Sequence, residues 1–333
     1  MLALLGAGWC QRYNPLGMTS TLPIHILELR QISSRALEAL FAEEARHWKD
    51  ELLWDYRPSL DLIRKFIDSR ALGGYVAMEE SRAAGYGFYV LEERKGLIGG
   101  LFVSSHVPQA EVTEKLLNEM LSSLLATPRI ERVEAQLMPF GTALDSIHLS
   151  RSFRLYPRQF MLLRLSAAQL ANQPLSAGLR LDPWSDKAFE ACARLIQLAY
   201  ADHIDGDIND QYRTEAGGLK FLRNIVILPG CGQFLPEASF VARPVTGDRP
   251  VGMVLTSRVS EGVGHTTQIC VQPGYQGHGL GRHLMETAIR ALRARQFHSL
   301  SLTVTSINAP AVRLYEKLGF DTIKKFAAGV WKA

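Results

Sequence analysis

The sequence has few cysteines, no long apolar run and almost no surplus of one charge. The four cysteines are far apart, without the close spacing of a metal site, which indicates reduced thiols in a cytoplasmic protein. No apolar run reaches the roughly 18–20 residues that a membrane-spanning helix needs. The 37 basic residues barely outnumber the 33 acidic ones and are spread along the chain. We therefore expect no membrane or nucleic acid as partner, and no metal.

The length favours two domains. A domain typically has roughly 100–200 residues, and this chain has 333 residues, of which 47% are hydrophobic. Residues 1–20 lack the basic start of a signal peptide, so we expect a disordered leader, with Met18 an equally suitable start. A short polar stretch with proline and glycine, residues 169–178, indicates a linker. We predict domains at 21–168 and 179–333.

A glycine-rich turn is the most informative feature that is present. Residues 276–281 read Gln-Gly-His-Gly-Leu-Gly, between an apolar strand that ends at Pro273 and an amphipathic helix from Leu280 to Arg295. Such a turn exposes backbone N–H groups at the positive end of a helix dipole, where phosphate binds. Glycine allows the anion to approach the backbone and allows positive φ.

The context of this turn argues against two common nucleotide sites. A dinucleotide-binding unit needs an acidic residue about 20 positions further on, and Phe297, His298 and Ser299 stand there instead. A P-loop needs Gly-Lys-Ser/Thr, whereas Arg282 follows Gly281. The next segment is an apolar strand, residues 300–304, and then a helix with Asn308 predicted as its N-cap and Gly319 as its C-cap.

These residues resemble the GNAT superfamily of acyl-CoA-dependent N-acyltransferases. The pyrophosphate signature of that family matches Val271-x-Pro273 and Gln276-x-x-Gly279-x-Gly281, and its second signature matches Asn308, Ala311, Tyr315, Gly319 and Phe320. The resemblance implies an α/β (α+β) fold with a mixed, mostly antiparallel twisted sheet flanked by helices. It also implies acetyl-CoA, or another short acyl-CoA, as co-substrate.

The chain contains the same pattern of strands and helices twice, at an offset of 167 positions. Val133, Ala135 and Leu137 fall on Leu300, Leu302 and Val304, and Leu117 falls on Leu284. We therefore predict two tandem GNAT-type domains.

The first copy lacks the features of the phosphate loop. At the same offset Val112 aligns with Gly279 and Glu114 aligns with Gly281, so a branched side chain and a carboxylate replace the glycines. The first domain is predicted to be degenerate and the second active, as in tandem GNAT proteins such as mycothiol synthase. The molecule is then a monomer with two pseudo-equivalent domains or a homodimer.

The resemblance implies a set of site residues in the second domain. Tyr315 matches the general acid of the family, and its phenol could protonate a departing thiolate. Asn308 matches a ligand of the pantetheine amide, or it only caps the helix. The cofactor-binding residues implied are Ile269, Cys270, Val271, Gln276, Gly277, His278, Gly279, Leu280, Gly281, Arg282, Asn308 and Ala311.

The base that deprotonates the amine is less clearly marked. His265 lies on the strand that leads to Pro273 and has a reference pKa near 6.5, so it is one candidate, although a strand histidine can also be structural. Glu237 and Glu261 are further candidates. Cys270 has no evident base partner and is interpreted as a packing residue.

Acceptor choice is predicted to depend on the loop at residues 200–210. Its four aspartates could attract a cationic amine, or they could form a solvated acidic loop. A calcium site is not expected there because, counted from Asp205, Gly206 stands at the second position and Ala216 at the twelfth.

The predicted activity is acetyl transfer from acetyl-CoA to a primary amine, a small molecule or a peptide, by direct attack in the second domain. The alternative is a non-catalytic acyl-CoA sensor or scaffold. Tyr315 and Asn308 favour the enzyme, since a binding protein needs no general acid.

Overall fold

The computed structural model describes residues 23–138, 152–171 and 174–333. The predicted leader at 1–20 and part of the predicted linker, Asn172 and Gln173, lie outside them. The helices are α1 Glu38–Leu52, α2 Arg57–Asp68, α3 Gln109–Ala126, α4 Phe189–Tyr200, α5 Ile204–Ile208, α6 Glu215–Ile227, α7 Leu280–Ala294 and α8 Ala309–Leu318. Among them, none is both long enough and apolar enough to cross a bilayer.

The strands join into one sheet that runs through both halves of the chain. They are β1 Ile24–Glu28, β2 Gly73–Glu79, β3 Arg82–Glu92, β4 Lys95–Val103, β5 Arg132–Gln136, β6 Arg154–Arg164, β7 Leu179–Pro183, β8 Gln233–Phe234, β9 Phe240–Pro244, β10 Gly252–Ser260, β11 Val263–Val271, β12 Ser299–Thr305 and β13 Asp321–Lys332. Their order is β1-β2-β3-β4-β5-β13-β6-β12-β11-β10-β9-β7, and β8 pairs with β10. In this sheet β4–β5 and β11–β12 are parallel and the other pairs are antiparallel. The mixed, mostly antiparallel sheet that the sequence predicts is confirmed.

Helices cover both faces of the sheet because its strands are apolar on both sides. On β4, Leu101 and Val103 pack with α3, whereas Phe102 packs in the cluster that contains residues of α1 and α2. On β10, Val254 packs with α7, whereas Met253 and Leu255 pack with α4 and α6. Adjacent residues of a strand point to opposite faces, so this alternation gives each half two apolar cores.

The last strands of the two halves are exchanged. The final strand of the chain, β13, lies between β5 and β6, while β6 pairs with β12 of the second half. The segment Gln159–Leu165, which the sequence predicts as the last strand of the first domain, lies in β6 up to Arg164, but β6 pairs on one side with β12 of the second half. The predicted bounds, 21–168 and 179–333, therefore separate the two copies along the sequence, but a single sheet contains strands of both copies.

The structure contains the predicted repeat of strands and helices. Between the helices α3 and α7, however, the two copies are related by an offset other than the predicted 167. The buried positions of α3 coincide with those of α7 at an offset of 168: Val112 falls on Leu280, Leu116 on Leu284, Leu117 on Met285, Met120 on Ala288, Leu121 on Ile289 and Leu124 on Leu292. At this offset Gly279 is equivalent to Glu111 and Gly281 to Thr113, rather than to Val112 and Glu114. The predicted conclusion that the first copy lacks the glycines is unaffected.

A matching hydrogen bond occurs in both halves, from a glutamine side chain to the end of the strand before the helix. Gln109 Nε2 donates to the Val103 carbonyl and Gln276 Nε2 donates to the Val271 carbonyl, each at 2.9 Å. The two carbonyls are related by the offset of 168, like the helices, whereas the two glutamines are related by 167. α3 begins at Gln109, whereas α7 begins only at Leu280, so the second copy has a glycine loop where the first is already helical.

Candidate active site

The site begins where two parallel strands separate. β11 and β12 pair over only four residues, from Val263 opposite Ser299 to Thr266 opposite Leu302. The next residue, Thr267, is a bulge in the pairing of β11 with β10, and its hydroxyl donates to the Leu255 carbonyl at 3.2 Å. A bulge bends the strand that contains it. The remainder of β11 therefore diverges from β12 and opens a wedge in the sheet.

Beyond Thr266, β11 still pairs with β10 on one side. On the side of the wedge, no described strand pairs with its backbone. The Ile269 carbonyl accepts a hydrogen bond from the Tyr200 hydroxyl at 3.2 Å, and the Val271 carbonyl accepts the bond from Gln276. These carbonyls therefore rely on side chains where a sheet would supply N–H groups. An extended ligand with amide groups can pair with such an edge in the way a strand does.

The glycine turn lies at the outer end of the wedge and leads into α7. Gly277 and Gly279 have φ values of +78° and +82°, which side chains disfavour. The first helical bond of α7 runs from His283 N to Gly279 O, at 3.1 Å, and the helix start has neither a side-chain cap nor an acidic residue. The N–H groups before His283 thus remain available to an anion. A Cβ at Gly281 would make only ordinary contacts, the nearest with Leu314 at 3.6 Å, so the fold does not require glycine there and a close ligand explains it better.

The side chain of Arg282 is directed to the protein rather than to the turn. Its Nε donates to Glu286 at 2.7 Å and its Nη2 to the Gln169 carbonyl at 2.9 Å. Arg282 therefore contributes its backbone N–H to the helix start, while its guanidinium holds the segment that precedes the second domain.

One cavity of about 770 Å³ joins these features. A volume of this size is in the usual range for small-molecule sites. The predicted residues along its wall are His265, Ile269, Cys270, Val271, Gln276, Gly277, Gly279, Leu280, Gly281, Arg282, Asn308, Ala311 and Tyr315. Of the predicted cofactor-binding residues, His278 alone is exposed and does not line the cavity.

Tyr315 and Asn308 lie on α8 at the side of the wedge formed by β12. Burial, and then the charge of Asp205, raise the pKa of Tyr315 above its ordinary value of 10, so its phenol keeps its proton at neutral pH. Asn308 Oδ1 accepts from Ala311 N at 3.3 Å, which confirms the predicted helix cap. Its Nδ2 lies 3.2 Å from Nε2 of His203, so the amide also reaches the cavity.

A buried donor without a partner also faces the cavity. Gln268 is 6% exposed, and its Nε2 has no hydrogen-bond partner in the described part of the chain. Its Oε1 lies 3.4 Å from the Tyr200 hydroxyl, which is also 3.2 Å from the Ile269 carbonyl. Leaving such a donor unpaired is unfavourable, so a carbonyl ligand would stabilise it. The exposed strand edge, the open helix start and this donor together fit the pantetheine and pyrophosphate of a CoA thioester.

His265 lies in an aromatic environment between the two halves. Its ring centroid is 4.9 Å from that of Trp54 and 5.8 Å from that of Phe160, and Nδ1 is 2.8 Å from the Ser301 hydroxyl. Burial lowers the pKa of His265 to about 3. The imidazole is therefore neutral at pH 7 and a much weaker base than an ordinary histidine.

The other predicted alternatives have distinct positions. Cys270 is buried among apolar residues, and burial, with a contribution from Cys192, raises the pKa of its thiol well above the ordinary value, which fits a packing role. Glu237 and Glu261 are exposed and do not line the cavity.

The acidic loop at 200–210 makes contacts that neither predicted interpretation includes. Asp210 lies 2.5 Å from Lys95 of the first half, and Asp207 pairs with Arg213. Asp205 lines the cavity and accepts a hydrogen bond from Thr305. The loop is thus largely an ion-paired contact between the halves, and one of its carboxylates faces the site.

Several lining residues were absent from the sequence prediction because they belong to the first half. They are Glu44, Trp48, Trp54, Tyr56, Gly99, Gly100, Leu101, Gln136, Leu137, Met138 and Arg158. No motif marks them, and they lie more than 100 positions from the glycine turn. Only the repeat could have suggested that the first half contributes, since it predicts that the first half contains the same arrangement of strands and helix as the second.

Comparison with known proteins supports a GNAT assignment for the second half. Residues 214–320 match the acetyltransferase (GNAT) family. A mycothiol acetyltransferase of Acidothermus cellulolyticus is 47% identical over 60 residues, which are 18% of each chain. The [ribosomal protein bS18]-alanine N-acetyltransferase of Escherichia coli K12 is 49% identical over 53 residues, 16% of this chain and 36% of that one. The matched segment thus spans about a fifth of the first relative and about a third of the second.

Solved structures resemble nearly the whole chain in fold. A GCN5-related N-acetyltransferase from Sphaerobacter thermophilus superposes with a TM-score of 0.67 at 14% identity, over 94% of this chain and 97% of that one. A tandem GNAT protein from the clavulanic acid biosynthesis pathway gives 0.58 at 13% identity, over 93% and 98%. The chain therefore contains a GNAT acetyltransferase domain, within a two-part fold that it shares with tandem GNAT proteins.

Proposed function

We propose that the second domain transfers an acetyl group from acetyl-CoA to a primary amine. The observation that supports this most is the single cavity in which the wedge between β11 and β12, the open start of α7 and the phenol of Tyr315 meet. The helix start suits a pyrophosphate, and the exposed edge of β11 suits the amides of pantetheine. The acceptor is a small molecule or a peptide.

Acetyl-CoA supplies the acetyl group as a thioester. The nitrogen of the neutral amine forms a bond to the carbonyl carbon, the carbon–sulfur bond breaks, and the nitrogen loses one proton while the sulfur gains one. An acceptor that binds as its ammonium ion first releases one further proton to solvent. Tyr315 is the proposed donor of the proton to sulfur, since its raised pKa keeps it protonated. His265 is less suited to take the proton from nitrogen, because burial lowers its pKa to about 3.

Gly281→Glu tests the cofactor site. A carboxylate in the first turn of α7 would repel a pyrophosphate and occupy the space beside the backbone, so the affinity for acetyl-CoA should fall at least tenfold. Isothermal titration calorimetry measures this change. Gly247→Glu is the matched control, because it adds the same charge at a position where a Cβ meets no atom within 4 Å and which does not line the cavity. Equal affinity in wild type and Gly281→Glu would refute the site.

Tyr315→Phe tests the acid. The variant should keep its affinity for acetyl-CoA and lose about 10²-fold or more in kcat, the range in which positioned acids contribute. Release of free CoA with a panel of amines measures turnover. Unchanged turnover would remove Tyr315 from the mechanism, and acetyl-CoA binding without turnover of any amine by wild type would favour a non-catalytic binding protein.

A further inference from the structure

The first domain places a buried carboxylate at the wall of the shared cavity. Glu44 of α1 is 3% exposed and lines the cavity. It accepts hydrogen bonds from the Tyr86 hydroxyl at 2.8 Å and from Trp48 Nε1 at 3.4 Å. Within the described ranges no lysine, arginine or histidine forms an ion pair with it, although the other buried glutamates have basic partners: Glu79 lies 3.4 Å from His106, and Glu134 and Glu286 pair with arginines.

Aromatic side chains of both domains line the same cavity. Trp48 stacks on Tyr56 with ring centroids 4.3 Å apart, and Trp54 packs edge-on against Trp48 at 5.7 Å. From the second domain Tyr212 and Phe221 also line the cavity, with their centroids 4.9 Å apart. The lining here is therefore apolar and aromatic, and Glu44 is its acidic group from the first domain.

This combination suits a particular ligand chemistry. An ionised carboxylate without a cation is costly to bury, and burial raises the pKa of Glu44 to about 7. An ammonium group would offset that cost by a charge-assisted hydrogen bond and would also be attracted to the faces of the aromatic rings. The rings would in turn pack against an apolar body attached to the nitrogen.

A purely structural glutamic acid would explain the two hydrogen bonds but not the position. A side chain that serves only to accept hydrogen bonds from Tyr86 and Trp48 needs no contact with a cavity. The carboxylate instead lies at the wall of the same space that, on the side of the second domain, contains Tyr315 and the free edge of β11.

We propose that Glu44 and the aromatic residues around it form the acceptor subsite, which binds an apolar, preferably aromatic, primary amine as its ammonium ion. The inference rests on the proposed acetyl transfer for its biological meaning. It assigns to the first domain a direct part in substrate choice, in place of the phosphate site that this domain lacks.

Direct binding in the absence of acetyl-CoA tests the subsite. The probes are 2-phenylethylamine and its neutral counterpart 2-phenylethanol, with ethanolamine as a polar amine, titrated calorimetrically at pH 8. Wild type should bind 2-phenylethylamine at least tenfold more tightly than either other probe. Glu44→Gln should lose at least tenfold in affinity for 2-phenylethylamine and less than threefold for 2-phenylethanol.

Two controls separate this result from misfolding and from the proposed transferase activity. Glu51→Gln, at the exposed end of the same helix where Glu51 pairs with Lys324, should bind all probes as wild type does. The affinity of Glu44→Gln for acetyl-CoA, measured separately, should stay within twofold of wild type. If acetyl-CoA binds but wild type shows no preference for 2-phenylethylamine, or Glu44→Gln binds it unchanged, the subsite is refuted while the transferase proposal stands. If wild type does not bind acetyl-CoA, the transferase proposal is refuted. The amine titrations then still decide whether the subsite exists.

Discussion

At the scale of single residues, the burial of Glu44 couples the stability of the first domain to pH. Its pKa rises from 4.5 to about 7 on folding, so the folded protein holds a proton that the unfolded chain releases above pH 4.5. The stabilisation that this proton gives is complete below pH 4.5 and is lost as the pH rises through 7. The groups that face the carboxylate, Trp48, Tyr56 and Tyr86, have no positive charge to oppose this.

We therefore predict that Glu44→Gln removes a pH dependence. Between pH 4.5 and 7.5 the free energy of unfolding of wild type should fall, relative to Glu44→Gln, by up to about 3 kcal/mol, since one pKa unit corresponds to about 1.4 kcal/mol. Urea unfolding at several pH values measures the difference. Parallel profiles for the two proteins would contradict it.

His265 shows which residue properties the sequence could predict. Its position on the strand before the glycine turn was evident, and it does line the cavity. Its environment was not evident, because Trp54 and Phe160 come from segments more than 100 positions away. A pKa depends on the neighbours that folding brings together, so a pattern of residues predicts a candidate base without predicting its basicity.

At the scale of elements, Glu286 connects α7 by a hydrogen bond to the segment before the second domain. It is 1% exposed and accepts hydrogen bonds from Ala171 N at 2.9 Å, Arg282 at 2.7 Å and Arg290 at 3.1 Å. Its pKa is lowered because these hydrogen bonds and charges outweigh burial, which by itself acts in the opposite direction and is the largest single cause. The carboxylate thus keeps its charge at neutral pH.

Glu286→Ala should destabilise the protein by about 2 kcal/mol. A broken buried ion pair costs roughly 3–5 kcal/mol, and partial exposure of both arginines reduces this figure. Thermal or urea unfolding at pH 7 gives the value. Glu316→Ala, on the exposed face of α8, is the control and should stay within about 0.5 kcal/mol of wild type. A loss in Glu286→Ala as small as in the control would show that the contact does not stabilise the fold.

The elements that the sequence predicted correctly are those with local signals. The helix capped by Asn308 and Gly319 and the helix α7 after the glycine turn both lie within one residue of their expected bounds. The offset of the repeat was wrong over α7 because apolar residues at three- and four-residue spacing match at more than one shift. The buried apolar positions of α3 and α7, which only coordinates show, resolve the shift.

At the scale of the whole molecule, the exchange of β6 and β13 makes the halves depend on one another. The sequence predicts two consecutive domains, since strand pairing over more than 150 positions leaves no local trace. In the sheet, β13 completes the first half beside β5, and β6 completes the second beside β12. Phe160 of β6 and Phe326 of β13 bury their rings in one cluster with Trp48 and Trp54. The cavity adjoins this junction, so the site needs both halves.

The isolated second domain should therefore not behave as an independent unit. A fragment of residues 174–333 lacks β6, which leaves β12 without its antiparallel neighbour and β13 without both partners. Unpaired, apolar strand edges favour association between chains. We expect the fragment to aggregate or to bind acetyl-CoA at least tenfold more weakly than the full chain. Size-exclusion chromatography, circular dichroism and calorimetry measure these properties.

Co-expression with residues 23–171 provides the decisive comparison, because that fragment supplies both β5 and β6. The two fragments should assemble one to one and recover the affinity of the intact chain for acetyl-CoA. A version of residues 23–171 that ends at 151 lacks only β6 and the segment after it, and it should fail to restore binding. If residues 174–333 alone are monomeric and bind acetyl-CoA like the full protein, the exchanged strands do not hold the active half together, and the two halves are separable domains as the sequence predicts.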